Sequence, residues 1–258
     1  MNAKKYKKYR IIVILMVVIM ALLFQGCGKQ KTKVSVRVAV IDTGISTNAI
    51  SKEHIAEGKN YVDTKLSTED TYGHGTAVAS IILKEAKNTQ IVPLVSNVFE
   101  NGKIKQVDND TLAQMIRDAV DIYHCRVINL SAGLVLDKES VRRAVEYAEK
   151  KNVLIIASAG NDYAENGAVR YYPAAYKSVL AVGALNKDGT EIAAFSQRGE
   201  WVDVYTVGEQ VEIKTLSGNT SVGDGTSYSA AKVTGQAALK IENDAEITVD
   251  ELKKILSN

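Results

Sequence analysis

The run VRVAVI at residues 36–41 is short, rich in β-branched residues and continuous in apolar character except at Arg37. Strands of this kind are typical of a parallel sheet that is buried on both faces. Further apolar runs of the same length recur along the chain. They are QIVPLV (90–95), RVINLS (126–131), VLIIAS (153–158) and VLAVGA (179–184).

Amphipathic stretches with helical spacing separate these runs. Parallel strands need crossover connections, so this alternation predicts a doubly wound α/β fold with a mostly parallel central sheet and right-handed crossovers. Residues 191–224 lack helical periodicity and are rich in Gly, Thr and Val, so we expect irregular structure or antiparallel strands there. The expected helices are His74–Lys87, Asn109–Tyr123, Lys138–Lys151, Ser227–Glu242 and Val249–Leu256.

The composition excludes several classes of protein. Of the 258 residues, 46% are hydrophobic and 24% charged, which is typical of a globular protein and not of a disordered or collagen-like one. The two cysteines are too few for a disulfide framework. Five of the 32 basic residues and none of the 30 acidic ones lie within residues 1–26, which leaves a net charge of −3 on the rest. That charge provides no basic field, so we expect no nucleic-acid partner.

The first 26 residues have the pattern of an export signal. The basic segment KKYKKYR (4–10) precedes 14 consecutive apolar residues, Ile11–Phe24. A helix needs about 20 apolar residues to span a bilayer, so this run is better explained as the apolar region of a signal peptide. Gly26-Cys27 follows, and the segment resembles a bacterial lipoprotein signal, in which the cysteine after the cleavage site is lipidated.

We therefore expect residues 1–26 to form a signal or membrane-targeting segment, Cys27 to be lipidated, and residues 27–35 to be a polar tether. The folded domain is expected at residues 36–258. This arrangement predicts a location at the extracytoplasmic face of the cell membrane, held there by the N-terminal lipid. An uncleaved helical anchor and ordinary secretion are the alternatives.

Four polar residues fall where the expected strands end or the expected helices begin. Asp42 ends the first strand, Asn161 follows the strand at 153–158, and His74 and Ser227 begin helices. Ligands of an open parallel sheet bind at the carboxyl ends of its strands, so these four side chains are expected to lie at one edge. A carboxylate, an imidazole, a hydroxyl and an amide are the groups that acyl transfer needs.

Five sequence blocks, taken in order, resemble the subtilisin-like serine peptidases. They are VAVIDTG (38–44), GHGTAVAS (73–80), VINLSAG (127–133), ASAGND (157–162) and DGTSYSAA (224–231). The resemblance implies the subtilisin-like, three-layer form of the α/β fold. It also implies a serine endopeptidase that acts on a protein or peptide, without a cofactor. Its catalytic residues would be the triad Asp42, His74 and Ser227, with Asn161 as the donor to the oxyanion.

The same resemblance assigns a substrate site and a specificity. Tyr171 is expected to fill part of the pocket floor, and Asp162 to stand at the pocket rim. Bulky aromatic side chains before the cleaved bond are therefore expected to be poor, and Arg, Lys or small side chains to be preferred. The alternative is that Tyr171 swings outward and leaves an ordinary apolar pocket. An extended substrate would bind backbone groups of Ser131, Ala132 and Gly133. One pocket wall would consist of Ala157, Ser158, Ala159 and Gly160.

The chain departs from the family pattern in several places. Tyr228 follows the expected nucleophile where the family usually has Met, and Lys232 stands where His is typical. Lys87 leads directly into the strand at 90–95, which leaves no room for the family's calcium loop, so no metal site is expected. Cys125 is expected to be a buried hydrophobe, and His54 and His124 to be surface or structural residues.

Two functions from different classes are compatible with these features. The first is a membrane-tethered serine endopeptidase that processes an exported peptide, by analogy with small peptidases that remove leaders from peptides such as lantibiotics. The second is a catalytically weak surface protein that uses the same groove only to bind peptides. An intact set of catalytic groups favours the first.

Overall fold

The computed structural model describes residues 35–100 and 102–257. Seven strands form its central sheet, and each neighbouring pair is parallel. They are β1 (Arg37–Asp42), β2 (Lys59–Asn60), β3 (Gln90–Val95), β6 (Val127–Leu130), β7 (Leu154–Ser158), β8 (Val179–Leu185) and β9 (Val204–Val207). Their order across the sheet is β2-β3-β1-β6-β7-β8-β9, so the predicted parallel sheet is confirmed.

The helices lie on both sides of the sheet, as predicted for a doubly wound fold. Except for the four-residue helix at 163–166, which was not predicted, the helices have bounds that agree with the expected ones to within two residues at each end. They are α1 (His74–Glu85), α2 (Asn109–Asp121), α3 (Glu139–Lys150), the short α4 (Tyr163–Asn166), α5 (Thr226–Asn243) and α6 (Val249–Leu256), with a 3₁₀ turn at Lys52–His54.

Two hydrophobic clusters, one on each face of the sheet, form the core. Val38 and Val40 of β1 pack with α1 and α5 on one face, whereas Ala39 and Ile41 pack with α2 and α3 on the other. Because successive strand residues point to opposite faces, a sheet covered on both sides needs apolar residues at every position. This is why the strand appears in the sequence as an almost unbroken apolar run.

Three features of the strands differ from the sequence-based expectation. Val204–Val207, expected to be irregular or antiparallel, instead pairs in parallel with β8 as the edge strand of the sheet. All four of its residues are only half-buried, so it lacks the continuous apolar pattern of a central strand. The two-residue β2 was not expected. Neither was the hairpin of β4 (Asn97–Glu100) and β5 (Lys103–Gln106), whose residues are mostly exposed. Antiparallel strands are present at β10 (Val211–Lys214) and β11 (Thr220–Gly223), as expected.

The strand register brings the functional positions to one edge. Ile41, Leu130 and Ala157 are aligned across β1, β6 and β7, so the residues that follow them emerge at the same level of the sheet. Helices α1 and α5 begin at this carboxyl edge. The polar residues expected there therefore project into a common space.

The expected signal segment, Cys27 and nearly all of the tether lie outside the described residues. Among the helices that the structure does describe, none is both long enough and apolar enough to cross a bilayer.

Candidate active site

Asp42 and His74 form a close pair at the carboxyl edge of the sheet. The imidazole Nδ1 lies 2.8 Å from each carboxylate oxygen of Asp42. Asp42 is 4% exposed, and one of its oxygens also accepts the backbone N–H of Thr43 at 2.8 Å. This arrangement fixes the Nδ1–H tautomer, because the carboxylate can only accept, and it leaves Nε2 free to take a proton.

The start of α1 lies unusually close to the end of β1. A Cβ at Gly75 would stand 2.3 Å from the carbonyl oxygen of Gly44 and 3.2 Å from Cβ of Asp42, so only glycine fits there. The Gly75 N–H donates to the Thr43 hydroxyl at 2.9 Å. Gly75, the residue after His74, therefore allows the backbone of α1 to approach β1, and this approach places the imidazole against the Asp42 carboxylate.

Asp70 organises the loop that carries His74, and the sequence analysis did not identify it. Its carboxylate is 4% exposed and accepts four hydrogen bonds of 2.6–2.9 Å: from the N–H groups of Tyr72, Gly73 and Thr76, and from the Thr76 hydroxyl. An Asp that bonds the backbone two and three residues ahead forms an Asx turn. In the sequence, the position of Asp70 three residues before Gly73 was the one sign of this turn.

The electrostatics of the pair raise the affinity of the imidazole for a proton. The negative charge of Asp42 raises the pKa of His74 above its ordinary value of 6.5, although burial of the ring opposes this. The hydrogen bond that His74 donates to Asp42 and the charge of Asp70 act in the same direction as the Asp42 charge. His74 is therefore a group that gains a proton readily once another group releases one.

Ser227 lies in the first turn of α5, where it is 6% exposed. Within the described chain its hydroxyl has no hydrogen-bond partner, His74 included. Catalytic hydrogen bonds are often long without substrate and tighten when it binds. A buried bond of 2.9 Å from Asn129 to Thr234 ties α5 to β6 and so fixes the helix that carries Ser227 against the sheet.

Asn161 has a defined orientation. Its Oδ1 accepts the backbone N–H of Thr226 at 2.8 Å and the Thr226 hydroxyl at 2.9 Å. A backbone N–H can only donate, so the amide oxygen must face Thr226. The amide nitrogen, for which the described residues provide no acceptor, is left to donate into the cleft.

Ser131 connects the two parts of the site. It borders a pocket of about 190 Å³ that also contains Asp42, His74 and Ala132. It also borders a second pocket, of about 330 Å³, that contains Ser227 and Asn161. The two pockets adjoin at Ser131 and are together called the cleft; the four predicted catalytic side chains border one or the other of them.

The second pocket contains most of the predicted specificity residues. Ser158, Gly160, Gly133, Asp162 and Tyr171 border it. The side chains of Ala157 and Ala159 are fully buried, so this wall faces the cleft only through Ser158 and Gly160.

The ring of Tyr171 occupies the slot between two glycines. A Cβ at Gly160 would lie 2.7 Å from Cδ2 of Tyr171, and one at Gly133 would lie 3.1 Å from its Cβ and Cδ1. The ring therefore lies between these two glycines at the border of the second pocket.

A hydrogen-bond network holds the Tyr171 ring in place. The Tyr171 hydroxyl donates to Asp162 at 2.5 Å, and Asp162 also accepts from Asn166 at 2.7 Å and from the fully buried Gln197 at 2.9 Å. Burial alone would raise the pKa of Asp162, but these three donors hold it below its ordinary range. Sequence reasoning missed Gln197 and Asn166. Both lie outside the five sequence blocks, and neither stands at a strand end or helix start where a functional side chain was expected.

The remaining singled-out residues lie away from this cleft. Cys125 is 2% exposed, and burial raises the pKa of its thiol to about 12, as for an unreactive core residue. His124 is exposed, and His54 lies on the 3₁₀ turn. Within residues 35–100 and 102–257, no three His, Cys, Asp or Glu side chains are grouped closely enough to hold a metal ion.

Comparison with known proteins identifies the family. The model described as the Subtilase family matches residues 33–258. The chain is 34% identical over 211 residues to a thermophilic serine proteinase from Bacillus sp. (strain AK1), which covers 78% of this chain and 51% of that protein. It is 33% identical over 231 residues to subtilisin BL from Lederbergia lenta, which covers 86% of this chain and 82% of that protein.

A solved structure gives the same result at the level of the fold. The crystal structure of a lanthipeptide protease matches with a TM-score of 0.73 at 27% identity, over 86% of this chain and 78% of that one. The predicted subtilisin-like fold is thereby confirmed. The chain spans about half the length of the thermophilic proteinase. The family model nevertheless matches most of the present chain, and the chain therefore belongs to the subtilase family.

Proposed function

We propose that this chain is a serine endopeptidase that uses Asp42, His74 and Ser227 as its catalytic triad. The observation that carries the proposal is the buried Asp42–His74 pair, which opens into the same cleft as Ser227 and Asn161. A serine nucleophile is activated by an imidazole that a carboxylate orients, once the serine hydroxyl hydrogen-bonds to that imidazole; we propose that Ser227 makes this bond when substrate is present.

In the proposed reaction, Ser227 Oγ attacks the carbonyl carbon of the scissile peptide bond as its proton passes to Nε2 of His74. Asp42 stabilises the resulting imidazolium and remains ionised. The imidazolium then gives the proton to the leaving amine, and the C–N bond breaks to leave an acyl group on Ser227. Water, deprotonated by His74, hydrolyses that ester and restores the enzyme.

Asn161 is proposed to stabilise the oxyanion of the tetrahedral intermediate. Its free amide nitrogen points into the cleft because Thr226 holds the amide oxygen. A donor fixed in advance stabilises developing charge without having to reorganise. The substrate is proposed to bind in extended form along Ser131, Ala132 and Gly133, which follow β6 at this edge.

The proposed specificity follows from Tyr171. Its ring fills the slot between Gly133 and Gly160, so a large aromatic side chain before the cleaved bond would have to displace it. We propose that small side chains bind best there. A basic side chain would meet the Asp162 carboxylate at the rim, but three protein donors already engage that carboxylate, so the preference for Lys or Arg is the weaker one.

We also propose that the enzyme acts at the extracytoplasmic face of the membrane, tethered through a lipid on Cys27, and that it processes an exported peptide. The apolar run ending in Gly26-Cys27 supports the tether. The similarity to a lanthipeptide protease supports a peptide substrate of that general kind. Metabolic labelling with a fatty-acid probe tests the tether, because Cys27→Ser should abolish labelling. An unlabelled wild-type protein that still sediments with membranes would point to the helical anchor.

Labelling with a fluorophosphonate tests the activity, because only an activated serine reacts with the probe. The full-length chain should be labelled, Ser227→Ala should not, and the exposed change Ser221→Ala should leave labelling intact. A wild-type chain that binds peptides yet resists the probe would instead be the peptide-binding protein.

A further inference from the structure

Tyr228, the residue after Ser227 on α5, packs against the imidazole of His74. The two ring centroids are 6.0 Å apart with an interplanar angle of 28°, which is a stacked arrangement. Offset-stacked rings are found at centroid distances of about 4.5–7 Å. The imidazole is thus held at Nδ1 by Asp42 and contacted by Tyr228 through the ring.

The Tyr228 ring is itself held in place. It is half-buried and packs against the hydrophobic core between α1 and α5. A Cβ at Gly223 on β11 would stand only 2.6 Å from Cε2 of Tyr228, so glycine there leaves the space that the ring occupies. On its open side the ring borders a groove of about 580 Å³ that also contains His74, Tyr72 and Leu216.

The hydroxyl of Tyr228 contributes no contact to this packing. Within the described chain it has no hydrogen-bond partner. Burial raises the pKa of Tyr228, and the charges of Asp42 and Asp224 raise it further, so the phenol stays neutral. Any effect on His74 must therefore come from the ring.

We infer that Tyr228 is a positioning residue for His74, an inference that rests on the proposed function, in which His74 is the base. The ring restrains the imidazole against rotation away from Asp42, and its π face stabilises the imidazolium that forms when the Ser227 proton arrives. A cation is attracted to an aromatic face within about 6 Å of its centroid. The other titratable groups around the two rings are unchanged in the variants below; they are Asp42, Asp70, Tyr72, Asp224 and Lys214.

Two independent substitutions test this inference, with two readouts. Tyr228→Leu keeps an apolar side chain but removes the ring, and Gly223→Ala displaces the ring while leaving Tyr228 itself intact. Activity on a peptide is measured as separate kcat and KM values. The titration midpoint of His74 is measured by NMR on the full-length chain, which contains only three histidines.

Both substitutions should lower kcat by about 3- to 10-fold without changing KM, and should move the His74 midpoint lower by about 0.5 in pH. Tyr228→Phe should keep most of the wild-type kcat and His74 midpoint, whereas the exposed Ser221→Ala should change neither. In the Tyr228→Leu background, Gly223→Ala should add nothing.

The inference is overturned if the His74 midpoint is the same in Tyr228→Leu and Gly223→Ala as in the wild type, or if Tyr228→Phe is as impaired as Tyr228→Leu. If Tyr228→Leu does not fold, the Gly223→Ala variant decides the result alone. A wild-type chain that resists the fluorophosphonate would refute the proposed function, but the NMR titration would still test the contact between the two rings.

Discussion

Two carboxylate–ring pairs, Asp42 with His74 and Asp162 with Tyr171, use the same kind of contact for different purposes. The carboxylate lies 2.8 Å from the imidazole in one pair and 2.5 Å from the phenol oxygen in the other. In each pair it raises the pKa of the ring group. Histidine starts from 6.5, so its proton remains exchangeable near neutral pH, whereas Tyr171 is raised to about 12 and keeps its proton. The ordinary pKa of the ring decides whether such a pair transfers a proton or fixes a side chain.

Breaking the first pair should have the largest effect. Asp42→Asn should lower kcat by about 10⁴, the magnitude known for the equivalent change in a triad peptidase, because the wrong imidazole tautomer is then favoured. The carboxylate also raises the pKa of His74, so wild-type activity should fall as the pH drops through a value above 6.5. In the variant this fall should occur at lower pH. Profiles of kcat/KM from about pH 5 to about pH 9 measure both effects.

Asn161 and Asp162 are adjacent in the chain but have different proposed roles, the first in catalysis and the second in substrate specificity. Asn161→Ala should lower kcat by about 10²–10³ with little change in KM, because the oxyanion exists only after attack on the carbonyl. Steady-state kinetics on one peptide is sufficient. A raised KM with normal kcat would instead assign Asn161 to substrate binding, the role proposed for Asp162.

Opening the second pair should change the substrate preference more than the turnover. Tyr171→Gly should raise the kcat/KM ratio of Phe to Ala at the position before the cleaved bond by about 10- to 100-fold, since overfilling a packed site costs about 1–3 kcal/mol. Tyr171→Phe keeps the ring but loses the bond to Asp162. If it broadens the preference as much as Tyr171→Gly does, the hydrogen bond and not the ring volume closes the slot.

The smallest effect expected is on the loop that supports the first pair. Asp70→Asn should lower the free energy of unfolding by about 1–3 kcal/mol, because an amide cannot accept all four hydrogen bonds that the carboxylate accepts. Urea denaturation measures this change. Asp63→Asn, which affects an acceptor of a single backbone bond in the preceding loop, is the matched control and should change stability much less.

The two pairs also differ in how far the sequence predicts them. Asp42 and His74 follow strand and helix boundaries that a buried apolar run makes visible, and their contact follows from the parallel topology. The support of Tyr171 depends on Asp162 and on its other two partners, Gln197 and Asn166, which come from separate segments without a periodic pattern. The half-buried strand Val204–Val207 and the exposed hairpin at 97–106 also lack such a pattern, and they were not predicted as they occur. Every central strand was predicted, because each is a continuous apolar run.

The anchoring of Asn161 by Thr226 has a consequence for motion. Thr226 immediately precedes Ser227, so the nucleophile and the proposed oxyanion donor are joined through two short hydrogen bonds and one peptide unit. His74 sits on another helix and has no hydrogen bond to Ser227 in the described chain; its ring meets α5 through the packing of Tyr228, a less directional contact than a hydrogen bond. When α5 fluctuates against the sheet, the hydroxyl and the amide move together, while the distance to the imidazole varies. Thermal motion should therefore disturb proton transfer before it disturbs stabilisation of the oxyanion.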